Sequence, residues 1–115
     1  MNRKEKIKAY KQSVRPMGIY QISNKINGKI FLGSSLDLKG ILNRIKFQLK
    51  NNLHVNRTMQ NDFNEVGEVY FSFDILDYLE PGEDKGENYK KELQILEKMW
   101  LEKLQPFNER GYNKK

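Results

Sequence analysis

Two short β-prone runs, Gly18-Ile19-Tyr20-Gln21-Ile22 and Lys29-Ile30-Phe31-Leu32-Gly33, flank a segment from Ser23 to Gly28 that closes on Asn27-Gly28. Asn-Gly accepts the positive φ of a tight reversal, so the two runs are predicted to form an antiparallel β-hairpin. The next segment has a helical pattern. Ser34-Ser35-Leu36-Asp37 offers several N-caps, and Leu38, Ile41, Leu42, Ile45 and Leu49 recur at helical spacing as one apolar stripe that ends near Asn51-Asn52. A second short helix is predicted after His54-Val55-Asn56, running through Met59, Phe63 and Val66 and closed by Gly67. The period then changes to two. Val69, Phe71, Phe73 and Ile75 fall on one face and Tyr70, Ser72, Asp74 and Leu76 on the other, which predicts a third strand, placed at the centre of the sheet. Pro81-Gly82-Glu83-Asp84-Lys85-Gly86 reads as a loop. Tyr89 to Leu104 returns to helical spacing with Leu93, Leu96, Trp100 and Leu104 on one face, until Pro106 stops it. The fold class is α/β, with a three-stranded, mostly antiparallel sheet flanked by helices.

A chain of 115 residues has room for one such unit. Its expected parts are a basic N-terminal arm or helix over 1–15, the α/β domain over 16–109 and a C-terminal tail over 110–115. Aromatic residues make up 11% of the chain, too many for a disordered segment despite 31% charged residues. Zero Cys excludes disulfides, thiolate nucleophiles and Cys-ligated zinc, and a single histidine, His54, excludes any site that needs two imidazoles. No apolar run of about 18 residues occurs, and the charged stretch from Met1 to Arg15 is unlike a signal peptide, so a cytoplasmic location with no membrane partner is expected.

Charge is unevenly distributed. Residues 1–60 carry 13 Lys and Arg against Glu5 and Asp37, a balance of +11, whereas residues 61–115 carry 8 against 13, a balance of −5. Clustered cations of this kind suit a polyphosphate, because each contact releases counterions from the nucleic-acid backbone. The competing reading is a set of solvated lysines.

The last predicted helix contains an acid where none is expected. At 100° per residue, with Leu93 at 0°, Glu97 falls at about 40°, inside the stripe formed by Leu96, Trp100 and Leu104. A carboxylate on an apolar face needs a cation, hydrogen bonds or a metal, or a place at the lip of a cleft. Both a Lys or Arg partner and a metal-ligand role are compatible with this position.

The ordered set of motifs adds a family. Gly18-Ile19-Tyr20, Asn24, Asn27-Gly28-Lys29 and Phe31-Leu32-Gly33-Ser34-Ser35 resemble the opening of the GIY-YIG nucleases. His54, Asn56, Gln60, the stretch from Gly67 to Phe73, and Glu97 to Pro106 with Trp100 resemble the family's later motifs in order, from Met17 to about Asn108. The likeness is greatest to small stand-alone members, some of them grouped with LuxR-like regulators. It implies a metal-dependent endonuclease fold acting on DNA, with Mg2+ or Mn2+ held by a glutamate, tyrosines near the attacking water and an arginine on the phosphate. Carried over, Tyr20 takes the first tyrosine role and Glu97 the metal-ligand role. Asn108 takes the late asparagine position, with Asn113 as its competitor. Gly18 and Gly33 are family positions as well.

Three positions depart from the pattern, which implies weak or lost cleavage. Phe31 keeps the ring of the second tyrosine without its hydroxyl, the arginine position falls on Ile41, and a histidine position falls on Ile45. Arg44 lies three residues beyond Ile41, about 4.5 Å along the helix axis, and is either a displaced phosphate clamp or, as the displacement favours, a solvated arginine. His54 with Asn56 reads as a cap and surface turn ahead of the second helix rather than as a general base. Lys29, Lys39, Arg44, Lys46, Lys50 and Arg57 could form a basic rim for backbone phosphates. Tyr20, Phe31 and Phe47 are candidates for stacking on bases. Phe47, at about 180° from Leu38, faces away from its own helix's stripe, toward the N-terminal arm or a partner such as a second copy. Alongside DNA cleavage, the chain is therefore open to a noncatalytic nucleic-acid-binding or regulatory role, or to a protein-interaction role.

Overall fold

The structure is a computed structural model, and it describes residues 15–81 and 89–114. The expected N-terminal arm, except Arg15, and the expected loop, except Pro81, lie outside the described residues. Strands β1 (Gly18–Asn24) and β2 (Ile30–Ser35) form the hairpin. They are followed by helices α1 (Leu38–Lys50) and α2 (Arg57–Val66), strand β3 (Phe71–Tyr78) and helix α3 (Tyr89–Leu104). This is the α/β architecture that the sequence predicts.

The hairpin closes at Asn27-Gly28. Gly28 adopts φ 79°, its N–H donates to Asn24 O at 2.8 Å, and Asn27 Oδ1 accepts from Lys29 N at 2.9 Å. Helix α1 starts at the last of its possible caps: Asp37 Oδ1 accepts from Gly40 N at 3.1 Å. Helix α2 is capped by Asn56, whose Oδ1 accepts from Met59 N at 3.1 Å. Its other end is closed by Gly67.

The sheet is antiparallel throughout, in the order β2-β1-β3, so β3 lies at an edge and β1 at the centre. Periodicity alone predicts a central β3, but two half-buried faces fit an edge strand covered by helices as well as a central one. Its start also differs, because Val69 and Tyr70 belong to a short 3-10 turn, Glu68–Tyr70, before the strand begins. The outer edge of β2 is covered by the C-terminal segment. Tyr112 N donates to Ile30 O at 2.8 Å, and the Asn113 side chain bonds both backbone groups of Leu32.

Alternation along the strands sorts the two faces. Tyr20 and Ile22 point into a core with Leu38, Ile45 and Leu49 of α1, Met59 and Phe63 of α2, Phe71 and Tyr112. Ile19 pairs with Ser34 and Gln21 with Leu32, so these residues share the opposite face. There α3 packs on β1 and β2, with Leu93 buried. Trp100 pins α3 to β3 by donating from Nε1 to Asp77 Oδ2 at 3.0 Å. Tyr112 is a core residue, so the segment expected as a tail from residue 110 onward contributes to the domain's interior. Among the described residues, no helix is long and apolar enough to cross a membrane.

Candidate active site

Tyr20 is the centre of the candidate site. It stands on the central strand opposite Gly33 of β2, directly after a β-bulge: Ile19 pairs with Asp77 and Tyr20 with Ile75, which leaves Leu76 without a cross-strand partner. Bulges re-aim the side chains beside them. A Cβ on Gly33 would collide with the hydroxyl and Cζ of Tyr20, so glycine is what allows the ring to lie over β2. The phenol is only 6% exposed, and burial, reinforced by the charge of Glu97, raises its pKa from 10 to about 12. At neutral pH it is a neutral hydroxyl, able to donate a hydrogen bond to a phosphate or water but not to act as a phenolate base.

Glu97 stands on α3, which packs against the Ile19 and Ser34 face of the sheet, and its charge acts on Tyr20, whose ring points to the other face. Glu97 is half-buried, on the edge of the Leu93 stripe. Its Oε1 accepts the Ser34 hydroxyl at 2.6 Å. Among the described residues the ion pairs are Arg15–Asp37 and Lys50–Glu68, so the carboxylate has a hydroxyl partner and no ion-paired cation. Sequence reasoning missed Ser34 as a site residue. No sequence signal marked it, because a serine just ahead of a helix reads as one more possible cap.

The donor set fits a hydrated divalent cation in one respect. No group of three or more potential His, Asp or Glu ligands exists among the described residues. Mg2+, however, typically retains several waters and takes one or two carboxylates together with substrate phosphates. Glu97 is a hard oxygen donor of that kind.

A row of rings runs from Tyr20. Phe31 lies 6.4 Å from Tyr20 between centroids, and His54 meets Phe31 edge-on at 5.9 Å. His54 is 5% exposed, so it is not part of a surface turn, and capping falls to Asn56 alone. Its Nδ1 accepts from Asn56 N at 3.0 Å, which assigns the neutral ring's proton to Nε2, and burial lowers its pKa. In this tautomer His54 is a donor rather than a base. Its own backbone N–H donates to Gln60 Oε1 at 2.9 Å, and Gln60 in turn donates to Leu49 O at 2.9 Å, which fixes the loop between α1 and α2.

Ile41 and Ile45 are packed with the hydrophobic core, Ile45 being 3% exposed. Arg44 is exposed on α1, as is Lys39. The remaining cations of the expected rim are dispersed among separate contacts. Lys29 lies 5.8 Å from the Tyr112 ring centroid, Lys46 lies 5.1 Å from that of Phe73, and Lys50 pairs with Glu68 at 3.2 Å. Arg57 donates to His54 O and Asn52 Oδ1, both at 3.4 Å. Phe47 is 61% exposed.

The two late asparagines part company. Asn108 is exposed in a 3-10 turn at φ 56°, while Asn113 accepts from Leu32 N at 2.9 Å and donates to Leu32 O at 2.8 Å. Asn113 therefore stands against β2 beside Phe31 and Gly33, and Asn108 does not. The signal was Gly111-Tyr112-Asn113, an uncharged trio with an aromatic residue at the end of a charged stretch.

No protein-family model matches the chain. The chain is 33% identical over 97 residues, 84% of its length, to Intron-associated endonuclease 1 of Enterobacteria phage T4. It spans 36% of that relative's own length. Its fold matches the catalytic domain of the homing endonuclease I-TevI with a TM-score of 0.67 at 29% identity, over 84% of this chain and 96% of that domain. A mutant form of the same catalytic domain matches with a TM-score of 0.68 at 28% identity, over 85% and 92% of the two chains. The chain belongs to the GIY-YIG nuclease superfamily.

Within that superfamily the first tripeptide, Gly18-Ile19-Tyr20, is intact on the central strand, and the second reads Phe31-Leu32-Gly33 on its neighbour. Glu97, expected from the resemblance to be the family's glutamate, is close enough to Tyr20 for its charge to act on the phenol.

Proposed function

We propose that this GIY-YIG domain engages DNA and that its phosphodiester hydrolysis is strongly reduced. The observation that carries the reading is the contrast between the groups retained and the groups replaced. Tyr20, Ser34 and Glu97 remain assembled, while the positions that would supply a second phenol, a guanidinium and an imidazole are Phe31, Ile41 and Ile45.

On this reading Glu97 holds Mg2+ or Mn2+, which when bound supplies Lewis-acid stabilisation of charge on the phosphate. Tyr20, held neutral, donates a hydrogen bond to water or phosphate oxygen and orients it. His54 Nε2–H is a second donor on the far side of Phe31. Phe31 packs against both rings and orients nothing by hydrogen bonding. The isoleucines of α1 exclude water without neutralising phosphate. Preorganised donors are each worth about 2.7–4 kcal/mol of barrier, so three absent groups account for the reduced rate. Of the expected basic rim, Lys39 and Arg44 are exposed on α1 and open to backbone phosphates, and the relative's name, an endonuclease, supports DNA as the partner.

The test is plasmid nicking with Mg2+ or Mn2+ beside a gel shift at two salt concentrations. The expected result is a salt-sensitive shift that survives Glu97→Ala, with little or no nicking. Rapid metal-dependent cleavage abolished by Glu97→Ala would overturn the reduced rate. Absence of any shift at low salt would overturn DNA engagement and favour a protein-interaction role.

A further inference from the structure

We propose that Ser34 is a positioning residue that aims the Glu97 carboxylate for a divalent cation, an inference that rests on the metal-ligand reading of Glu97. Ser34 sits on β2 immediately after the glycine beneath Tyr20, and Glu97 sits on α3, 63 residues later in the chain. Their side chains meet at 2.6 Å, within the range of a charge-assisted O–H···O− bond. Both residues are half-buried, so the bond is partly shielded from water.

The bond has a specific geometric effect. A glutamate on a helix has three rotatable side-chain bonds, so many positions are open to its carboxylate. A short bond from a β-strand hydroxyl selects among them. Because the hydroxyl engages Oε1, the other carboxylate oxygen is left to meet a cation. Hydrogen bonds to ligating carboxylates act in this way in metal sites generally, and their loss typically lowers affinity 10- to 100-fold. Ser34 itself is tied into the sheet through its pairing with Ile19 on the central strand, so the anchor is rigid.

The experiment is titration of the full chain with Mn2+ alone, followed by the electron paramagnetic resonance signal of free Mn2+. Wild type is compared with Ser34→Ala, Ser34→Thr and Glu97→Gln, and thermal melts without metal serve as the folding control. Glu97→Gln should abolish the Glu97-dependent binding. Ser34→Ala should weaken it about tenfold or more, and Ser34→Thr, which keeps the hydroxyl, should restore it. Should Ser34→Ala fail to fold, Ser34→Cys, a weaker donor of similar size, takes its place and should fall between wild type and Glu97→Gln. If the hydroxyl-lacking or weakened variant binds as tightly as wild type while Glu97→Gln does not bind, the positioning role is wrong and the ligand role stands. If Glu97→Gln binds as wild type does, the ligand role fails and the positioning role with it. DNA binding measured by gel shift is independent of either outcome.

Discussion

Tyr20 and Gly33 are cross-strand partners, and the ring of the first occupies the space that a side chain on the second would fill. The second glycine of the two tripeptides is thus a packing requirement of the first tyrosine. Gly33→Ala should force the ring off β2 and destabilise the domain by about 1–3 kcal/mol, as overpacking does. Urea denaturation measures the loss. A variant as stable as wild type would show that the ring shifts at no cost.

Restoring the absent polar groups should restore chemistry. Phe31→Tyr, Ile41→Arg and Ile45→His together are expected to raise metal-dependent nicking at least about 100-fold, given the worth of a single positioned donor. The gain should vanish when Glu97→Ala is added. Ile45→His introduces a polar ring into the core and should by itself lower stability by about 2–4 kcal/mol. The nicking assay is therefore best run well below the melting temperature of the triple variant.

The C-terminal segment should behave as part of the domain. Removing residues 110–115 deletes Tyr112 from the core and Asn113 from the edge of β2, at an expected cost of about 3–5 kcal/mol. Asn113→Ala alone leaves Leu32 with two unmatched backbone groups and should cost about 1–3 kcal/mol. Chemical denaturation of both variants would distinguish this from a dispensable tail, whose removal changes nothing.

Two opposite shifts set the pH dependence of stability. Burial raises Tyr20, and Tyr112 is raised by burial and by its bond to Asp62. For both, the unfolded chain ionises first, so their contribution is complete below pH 10 and falls as pH rises through 10 toward 12 and beyond. A spectrophotometric titration of the tyrosines should show late ionisation from Tyr20 and Tyr112, the part due to Tyr20 lost in Tyr20→Phe. His54 has the reverse sense. Its folded pKa is lowered, so its contribution is complete above pH 6.5 and is lost as pH falls below that value, where the unfolded chain takes up a proton that the buried ring resists. His54→Gln should flatten the acid limb of the stability profile.

What is legible in the sequence is local. Asn27-Gly28 announces the hairpin because a turn needing positive φ is chosen by its own two residues. Glu97 is conspicuous because an acid within a helical apolar stripe is a local anomaly. Ser34 draws no such attention. A serine near a helix start reads as one more possible cap, and only the return of α3 onto β2 turns it into the partner of Glu97. His54 resembles part of a surface turn for a similar reason, since nothing nearby in sequence reveals that Phe31 lies against it.

The amino-acid pattern by itself determined which segments are strands and helices, which faces are apolar, and that Phe31, Ile41 and Ile45 carry no hydroxyl, guanidinium or imidazole. These are matters of residue chemistry and of periods spanning a few residues. The tertiary structure decided that β1 is central, that Asn113 rather than Asn108 touches β2, and that Tyr20 senses the charge of Glu97. Those outcomes depend on contacts between residues about fifty or more positions apart, where the order in which elements stack is set by the packing of the whole core.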